Sequence, residues 1–324
     1  MSLLVSLAQT LLPHMNPLRA QRLVNRHLDW VTTLGLTAGV TRTPVEDPVR
    51  VMGLRFPNRV GLAAGLDPAG CAVSAWGSFG FGHIEVGTIY PPARRATHPH
   101  EVRRLNPREA LWVRGEPQGV PLTEVARNLK SAQAYALRGG ILGLSLDART
   151  LTSERLRSAA PLADYLSINA VDCPPEVLSS LLKALPQWRR EAAGDDKPIP
   201  VALKLAPEGA PDDLKSLLDL ALPAVDGFIL TGGKKAAGED AALAGGRLSG
   251  RPLREAALAA LTLAAAHLGG ERPLIASGGI LSTKEAQERL AAGASLVQLF
   301  TGFILNSPHF PADCVDALAQ PPAA

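Results

Sequence analysis

Three cysteines in 324 residues, Cys71, Cys173 and Cys314, are too few for a disulfide scaffold. No C-x-x-C spacing joins them, and the seven histidines form no H-E-x-x-H or other paired spacing, so no metal site is expected. Aromatic residues make up only 4% of the chain, which leaves little for a platform that stacks single-stranded bases. The net charge of +3 (pI ≈ 8.9) is too weak to imply nucleic acid, and none is expected as a partner. No apolar run reaches 18 residues, so no spanning helix is expected. The apolar start, MSLLVSLAQTLLPHM, has no basic stretch before it and no small-residue cleavage site, so it does not read as a signal peptide. What is present is core material. Hydrophobic residues are 46%, charged residues 19%, and mean hydropathy is +0.09, which excludes a mainly disordered chain.

From Asn16 to Leu34, Leu18, Leu23, Val24, Leu28, Val31 and Leu34 recur near helical spacing, with Arg19, Arg22 and Arg26 between them. With the segment before it, this reads as an amphipathic helix pair, packed on a domain or lying on a membrane surface. After about residue 50, short apolar runs alternate with helical stretches. The strand candidates are 60–64, 83–87, 141–146, 165–170, 201–205, 227–231, 273–277 and 295–300. Helices are predicted over 69–79, 122–137, 153–159, 176–193, 212–222, 254–268 and 283–292, with start signals such as Pro211-Asp212-Asp213 and Ser282-Thr283-Lys284-Glu285. Several strands are apolar on both faces, as doubly covered parallel strands are. Eight such repeats in about 250 residues predict an α/β fold, a (β/α)8 TIM barrel (residues 46–324) behind an N-terminal helical extension (residues 1–45). A doubly wound sheet would want G-x-G-x-x-G after its first strand, and none is there.

In such a barrel the chemistry sits at the C-terminal strand ends. Strand 7 ends in Gly278-Gly279 and strand 8 in Thr301-Gly302, positions suited to backbone contacts with a phosphate. Lys204 stands late in the apolar run Val-Ala-Leu-Lys-Leu-Ala-Pro. A lysine there needs an anionic partner, such as the pyrimidine edge of a flavin, or must snorkel to the rim.

Together these residues resemble the quinone-type dihydroorotate dehydrogenases. The resemblance is carried by Met52–Asp67 (MGLRFPNRVGLAAGLD), Gly80–Thr88 (GFGHIEVGT), Leu248–Leu253, Ser277–Ile280 and Ala291–Phe303, with Asn16-Pro17-Leu18-Arg19-Ala20 at the front. It implies an FMN-binding barrel that takes a proton and a hydride from dihydroorotate and passes electrons to a quinone. It further implies a helical extension at the membrane surface on its cytoplasmic side. FMN contacts are implied at Ala64, Gly65, Thr88, Ser145, Asn169, Lys204, Thr231, Ser249, Gly250, Gly278, Gly279, Thr301 and Gly302.

The substrate side departs from the family. Pro68 replaces a lysine, and Ser145 replaces an asparagine. The strand-4 motif Asn-x-Ser-Ser-Pro-Asn-Thr reads Asn169-Ala170-Val171-Asp172-Cys173-Pro174-Pro175, which puts Asp172 at the catalytic serine and Pro174 at a substrate asparagine. Trp112 stands near another expected asparagine, and Gly232-Gly233 replace Asn-Thr. The loop after strand 4 is also shorter. The sequence therefore leaves three readings: a dihydroorotate dehydrogenase with Asp172 as base, an FMN oxidoreductase for a more apolar substrate held against Trp112, or a relative without turnover. Cys173 is a minor alternative base. His98, His100, Arg94, Arg95, Arg103 and Arg104 read as a solvated basic loop, and Asp195-Asp196 and Glu239-Asp240 as solvated carboxylates.

Overall fold

The computed structural model describes residues 11–91, 100–115, 119–206, 210–231, 234–235 and 243–320. Its strands are β1 (Val49–Val51), β2 (Leu54–Phe56), β3 (Val60–Leu62), β4 (His83–Ile89), β5 (Glu101–Leu105), β6 (Ala110–Arg114), β7 (Ile141–Asp147), β8 (Tyr165–Asn169), β9 (Val201–Leu205), β10 (Gly227–Leu230), β11 (Lys234–Lys235), β12 (Arg247–Gly250), β13 (Leu274–Ser277) and β14 (Leu296–Leu299). Eight of them, β3-β4-β7-β8-β9-β10-β13-β14, close into a parallel barrel in chain order. These are the eight strands expected from the alternating pattern, within a residue or two at most ends. The fold is a (β/α)8 barrel with an N-terminal helix.

The helices are α1 (Pro17–Thr33), α2 (Val73–Gly77), α3 (Leu122–Asn128), α4 (Gln133–Ala136), α5 (Ser153–Ala159), α6 (Pro175–Ala193), α7 (Pro211–Ala221), α8 (Arg254–Leu268), α9 (Thr283–Ala291), α10 (Thr301–Leu305) and α11 (Phe310–Ala319). The predicted helix over 69–79 shrinks to α2. Asp67 takes the N–H groups of Cys71 and Ala72 at 2.9 and 2.8 Å, which offers that backbone a loop instead of a helical turn. The expected helix over 122–137 is interrupted by a 3-10 turn at Leu129–Ala132.

The barrel floor is apolar. The β1–β2 hairpin closes it, with Val51 and Phe56 packed against Ile141, Tyr165, Ala202, Ile229, Ile275 and Leu296. Two glycines make room for rings inside. A Cβ on Gly61 would sit 2.0 Å from His83 Nε2, and one on Gly143 would sit 2.3 Å from Tyr165 Cζ.

Of the expected helix pair, residues 1–10 lie outside the described residues, and α1 stands as expected. Asn16 caps it by accepting from Leu18 and Arg19 N–H. One face docks on the barrel: Gln21 Nε2 donates to Gly65 and Leu66 carbonyls at 2.6 and 2.8 Å, and Asn25 Nδ2 to Leu66 at 2.7 Å. Asp29 accepts from the Ala75 N–H. Arg19, Arg22, Leu23, Arg26 and Trp30 stay exposed. Among the described residues no helix is long and apolar enough to cross a membrane.

A four-stranded antiparallel sheet, β11-β12-β6-β5, stands beside the barrel mouth. It takes Arg103 and Arg104 out of the solvated basic loop that the sequence pointed to. Arg103 pairs with Glu101 and lies over the Trp112 ring, and Arg104 donates to the Met15 carbonyl at 2.8 Å. Arg94, Arg95, His98, Glu239 and Asp240 lie outside the described residues, while Asp195 and Asp196 are exposed as expected.

Candidate active site

A chamber of about 330 Å³ opens at the C-terminal strand ends. Its size is at the low end for ligand sites. Its lining gathers Ala64 after β3, Thr88 from β4, Asn169 from β8, Lys204 from β9, Thr231 after β10, Ser249 from β12, Gly278 and Gly279 after β13, and Thr301 and Gly302 after β14. Ten of the thirteen residues expected to touch a cofactor thus meet in one cavity. A larger cleft of about 440 Å³ runs along α6 on the outer face, but it shares only Arg149 with the chamber.

The other three expected contacts stand behind the wall. Ser145 is fully buried on β7, with its Oγ 3.2 Å from Thr88 Oγ1, and so supports a lining residue. Gly65 turns the chain at φ +113° and offers its carbonyl to Gln21. Gly250 is held at φ +88°, where a Cβ would lie 2.3 Å from the Glu109 carbonyl. Its role is to let β12 approach Glu109.

Beneath the chamber lies a buried polar layer. Glu85 on β4 accepts from Lys204 Nζ at 2.9 Å, Gln298 Nε2 at 3.0 Å and the Tyr165 hydroxyl at 3.2 Å. Burial pushes the Glu85 carboxyl up, but the Lys204 charge and these hydrogen bonds outweigh it and hold the group below its ordinary value. The lysine therefore does have an anionic partner. Its ammonium still reaches the chamber lining. Gln298 also lines the chamber, and its Oε1 is buried with no hydrogen-bond partner among the described residues.

The phosphate-like end is built from helix starts. Thr301 and Gly302 open α10, so their N–H groups have no carbonyl one turn earlier within the helix. Gly278 and Gly279 adopt φ +87° and +69°. Ser282 caps α9 by accepting the Glu285 N–H, and Glu285 reaches back to the Leu281 N–H at 2.6 Å. This fixes the α9 start beside the glycine pair.

Of the three expected pocket residues, one is corrected and two are left open. Trp112 does not face the chamber. It is fully buried, its Nε1 donates to the Leu243 carbonyl at 2.8 Å, and the Arg103 and Arg114 guanidinium groups lie 4.7 and 5.4 Å from its ring. Alternation along β6 explains this, because Val113 lines the chamber and its neighbour turns away. Gly232 and Gly233 lie outside the described residues.

Asp172 does line the chamber, in the loop after β8, with φ +59°. Both its oxygens are taken by Arg247, Nε at 3.1 Å and Nη2 at 2.5 Å, and Lys235 lies 3.9 Å away. Cys173, the alternative base, is a poor one. Burial, with Asp147 adding to it, pushes its thiol up to about 11. Sequence reasoning missed Arg149 and Arg247, which also line the chamber. The only available signal was a charged residue directly before Leu-Ser-Gly and another just after strand 3.

Two buried groups make stability respond to pH with opposite signs. Burial pushes His83 down to about 4, and its unfolded value is near 6.5. Its contribution is complete above pH 6.5 and is lost as pH falls towards 4. Burial pushes Asp67 up to about 6, so the folded state gains from its protonation over much the same range. His83→Leu removes only the first effect. Relative to wild type, the variant is expected to gain about 3 kcal/mol between pH 7 and pH 4. Urea unfolding at both pH values checks this, and an unchanged difference would contradict it.

A parallel eightfold barrel with glycines at the ends of its last two strands and a lysine–carboxylate layer below the mouth has the layout of (β/α)8 barrel enzymes, whose sites lie at the C-terminal strand ends. The dihydroorotate dehydrogenase family model matches residues 48–320, and the chain belongs to that family. It is 36% identical to the dihydroorotate dehydrogenase (quinone) of Azotobacter vinelandii over 97% of this chain and 96% of that protein. It is 34% identical to the same enzyme of Ralstonia nicotianae over 98% and 99%. A crystal structure of Eimeria tenella dihydroorotate dehydrogenase in complex with ferulenol shares the fold, with TM-score 0.78 and 24% identity over 92% of this chain and 90% of that one.

Proposed function

We propose that this protein is an FMN-dependent oxidoreductase that converts dihydroorotate to orotate and delivers the electrons to a quinone. The single observation that carries this reading is the convergence of Lys204, Asn169, Thr88 and the two strand-end pairs, Gly278–Gly279 and Thr301–Gly302, on the chamber that also holds Asp172. These residues fit FMN. The strand-end amides suit its phosphate, while the Lys204 ammonium and the buried Gln298 Oε1 offer a donor and an acceptor to a heteroaromatic edge. Bound FMN would supply the hydride acceptor.

The chain's own part is to hold the substrate and move a proton. Among the described residues Asp172 is the carboxylate on the chamber wall, and it is assigned the ring proton, received at an Oδ. Thr88 and Asn169, bonded to each other at 3.1 Å, form a fixed polar edge that would orient bound FMN without reorganising. Quinone access is assigned to the side where α1 packs on the Gly65–Leu66 turn, directly after the lining residues Ala63 and Ala64. The exposed Leu11, Leu23, Trp30 and Leu34, with Arg19, Arg22 and Arg26, suit contact with an anionic membrane surface. We place the protein there, peripherally, on the cytoplasmic side.

Steady-state assay with dihydroorotate and a soluble quinone tests the reading. Orotate should form in proportion to quinone reduced. Protein that carries FMN and forms no orotate would instead favour a different substrate or loss of turnover.

A further inference from the structure

We propose that Asp172 occupies the seat of the substrate's carboxylate on Arg247, and that an anionic substrate displaces it. This rests on the dihydroorotate reading above. It goes beyond it by naming a specificity residue, Arg247, and an internal competitor.

The cost of exchanging a carboxylate differs among the chamber's cations. Among the described residues three cations line the chamber: Lys204, Arg149 and Arg247. Lys204 is bonded to Glu85, which is fully enclosed. Arg149 donates its Nε at 2.9 Å to Asp147, whose side chain is 1% exposed. Both carboxylates are enclosed, and drawing a cation away from an enclosed carboxylate is expensive. Asp172 differs. Its side chain is 47% exposed and sits on a loop, so water can receive it when it leaves. Exposed ion pairs are weak and readily exchanged. The guanidinium itself is the better enclosed partner, at 22% exposure, and it already presents two donors to a planar carboxylate. That is the geometry a substrate carboxylate would use.

Arg247 is held where this requires. β12 pairs with β6, which sets Arg247 opposite Val113, and Leu248 and Ser249 continue the chamber wall. Lys235, on β11 and paired in register with Arg247, adds positive charge on the same side. Displacement has a consequence for the chemistry. The Asp172 carboxylate loses its guanidinium partner at the moment the substrate arrives, and so becomes available to accept a proton.

The test is calorimetric binding of orotate, and of uracil, which lacks the carboxylate, to the full FMN-loaded chain and its variants. Flavin absorbance confirms that each variant holds its cofactor. Arg247→Gln should weaken orotate about tenfold or more and leave uracil unchanged, and Arg247→Lys should lose less. Asp172→Asn should do the reverse and tighten orotate about tenfold, since a neutral amide competes for the guanidinium less than a carboxylate does. A merely structural ion pair predicts weaker orotate binding in both variants, and that result overturns the proposal. So does an unchanged preference for orotate over uracil in Arg247→Gln while wild type still oxidises dihydroorotate. Wild type that retains FMN and binds neither ligand overturns the dihydroorotate reading and this proposal together.

Discussion

Asp172→Asn is expected to slow the reduction of bound FMN by dihydroorotate about 10²–10⁴-fold, the range typical for loss of a positioned general base. The amide keeps the shape and can still bond Arg247, but it cannot take a proton from carbon. FMN content should be unchanged, because the strand-end glycines, Thr301 and Lys204 are untouched. With orotate binding expected to tighten, the variant separates chemistry from affinity: the reduction rate falls while ligand binding improves. Rapid-mixing absorbance under anaerobic conditions reads the rate directly. Cys173→Ser, one residue along, should leave the rate within about twofold, since a thiol held near 11 is not the base at neutral pH. Equal losses in both variants would mean that the loop, and not the carboxylate, had been disturbed.

The second large effect lies in the layer beneath. Lys204→Met leaves Glu85 fully enclosed and short of its cation, and Glu85→Leu leaves the nearly enclosed Lys204 short of its carboxylate. Each is expected to destabilise the fold by about 3–5 kcal/mol. The double variant should recover most of that, because a matched apolar pair replaces a matched charged one. The recovery would be incomplete, since Tyr165 and Gln298 also lose their acceptor. Chemical unfolding of the four proteins gives the coupling directly, and additive losses would contradict it. Function should not recover with stability. Both variants that lack Lys204 should lose FMN affinity, because the ammonium at the chamber wall is gone.

Much of the fold is legible in the order of residues alone. All eight barrel strands show as short, largely apolar runs, several of them apolar on both faces, and Gly278-Gly279 and Thr301-Gly302 stand at strand ends where the chain must turn. Lys204 in an apolar run points to a buried partner, though not to Glu85, which is 119 residues away in sequence. The antiparallel sheet beside the mouth escapes such a reading because Glu101–Arg104 is rich in charge. Its signal is alternation around the Asn106-Pro107 turn, a period-2 pattern that the basic composition hides. Trp112 is misplaced for the same reason. Without knowing that 110–114 is a strand, the face that its side chain takes cannot be assigned. Arg247 and Arg149 escape because only the folded chain brings β12 and the β7 end to one cavity. Pairing across sheets leaves no local trace.

Oxidation of dihydroorotate in this chamber, with Asp172 as the base, is the step on which the proposed function stands. Anaerobic mixing of the FMN-loaded protein with dihydroorotate, without any acceptor, tests it most directly, because quinone access and membrane contact drop out. The expected result is bleaching of the flavin with one orotate formed per flavin reduced. A flavin that dithionite reduces but saturating dihydroorotate leaves oxidised would contradict the claim.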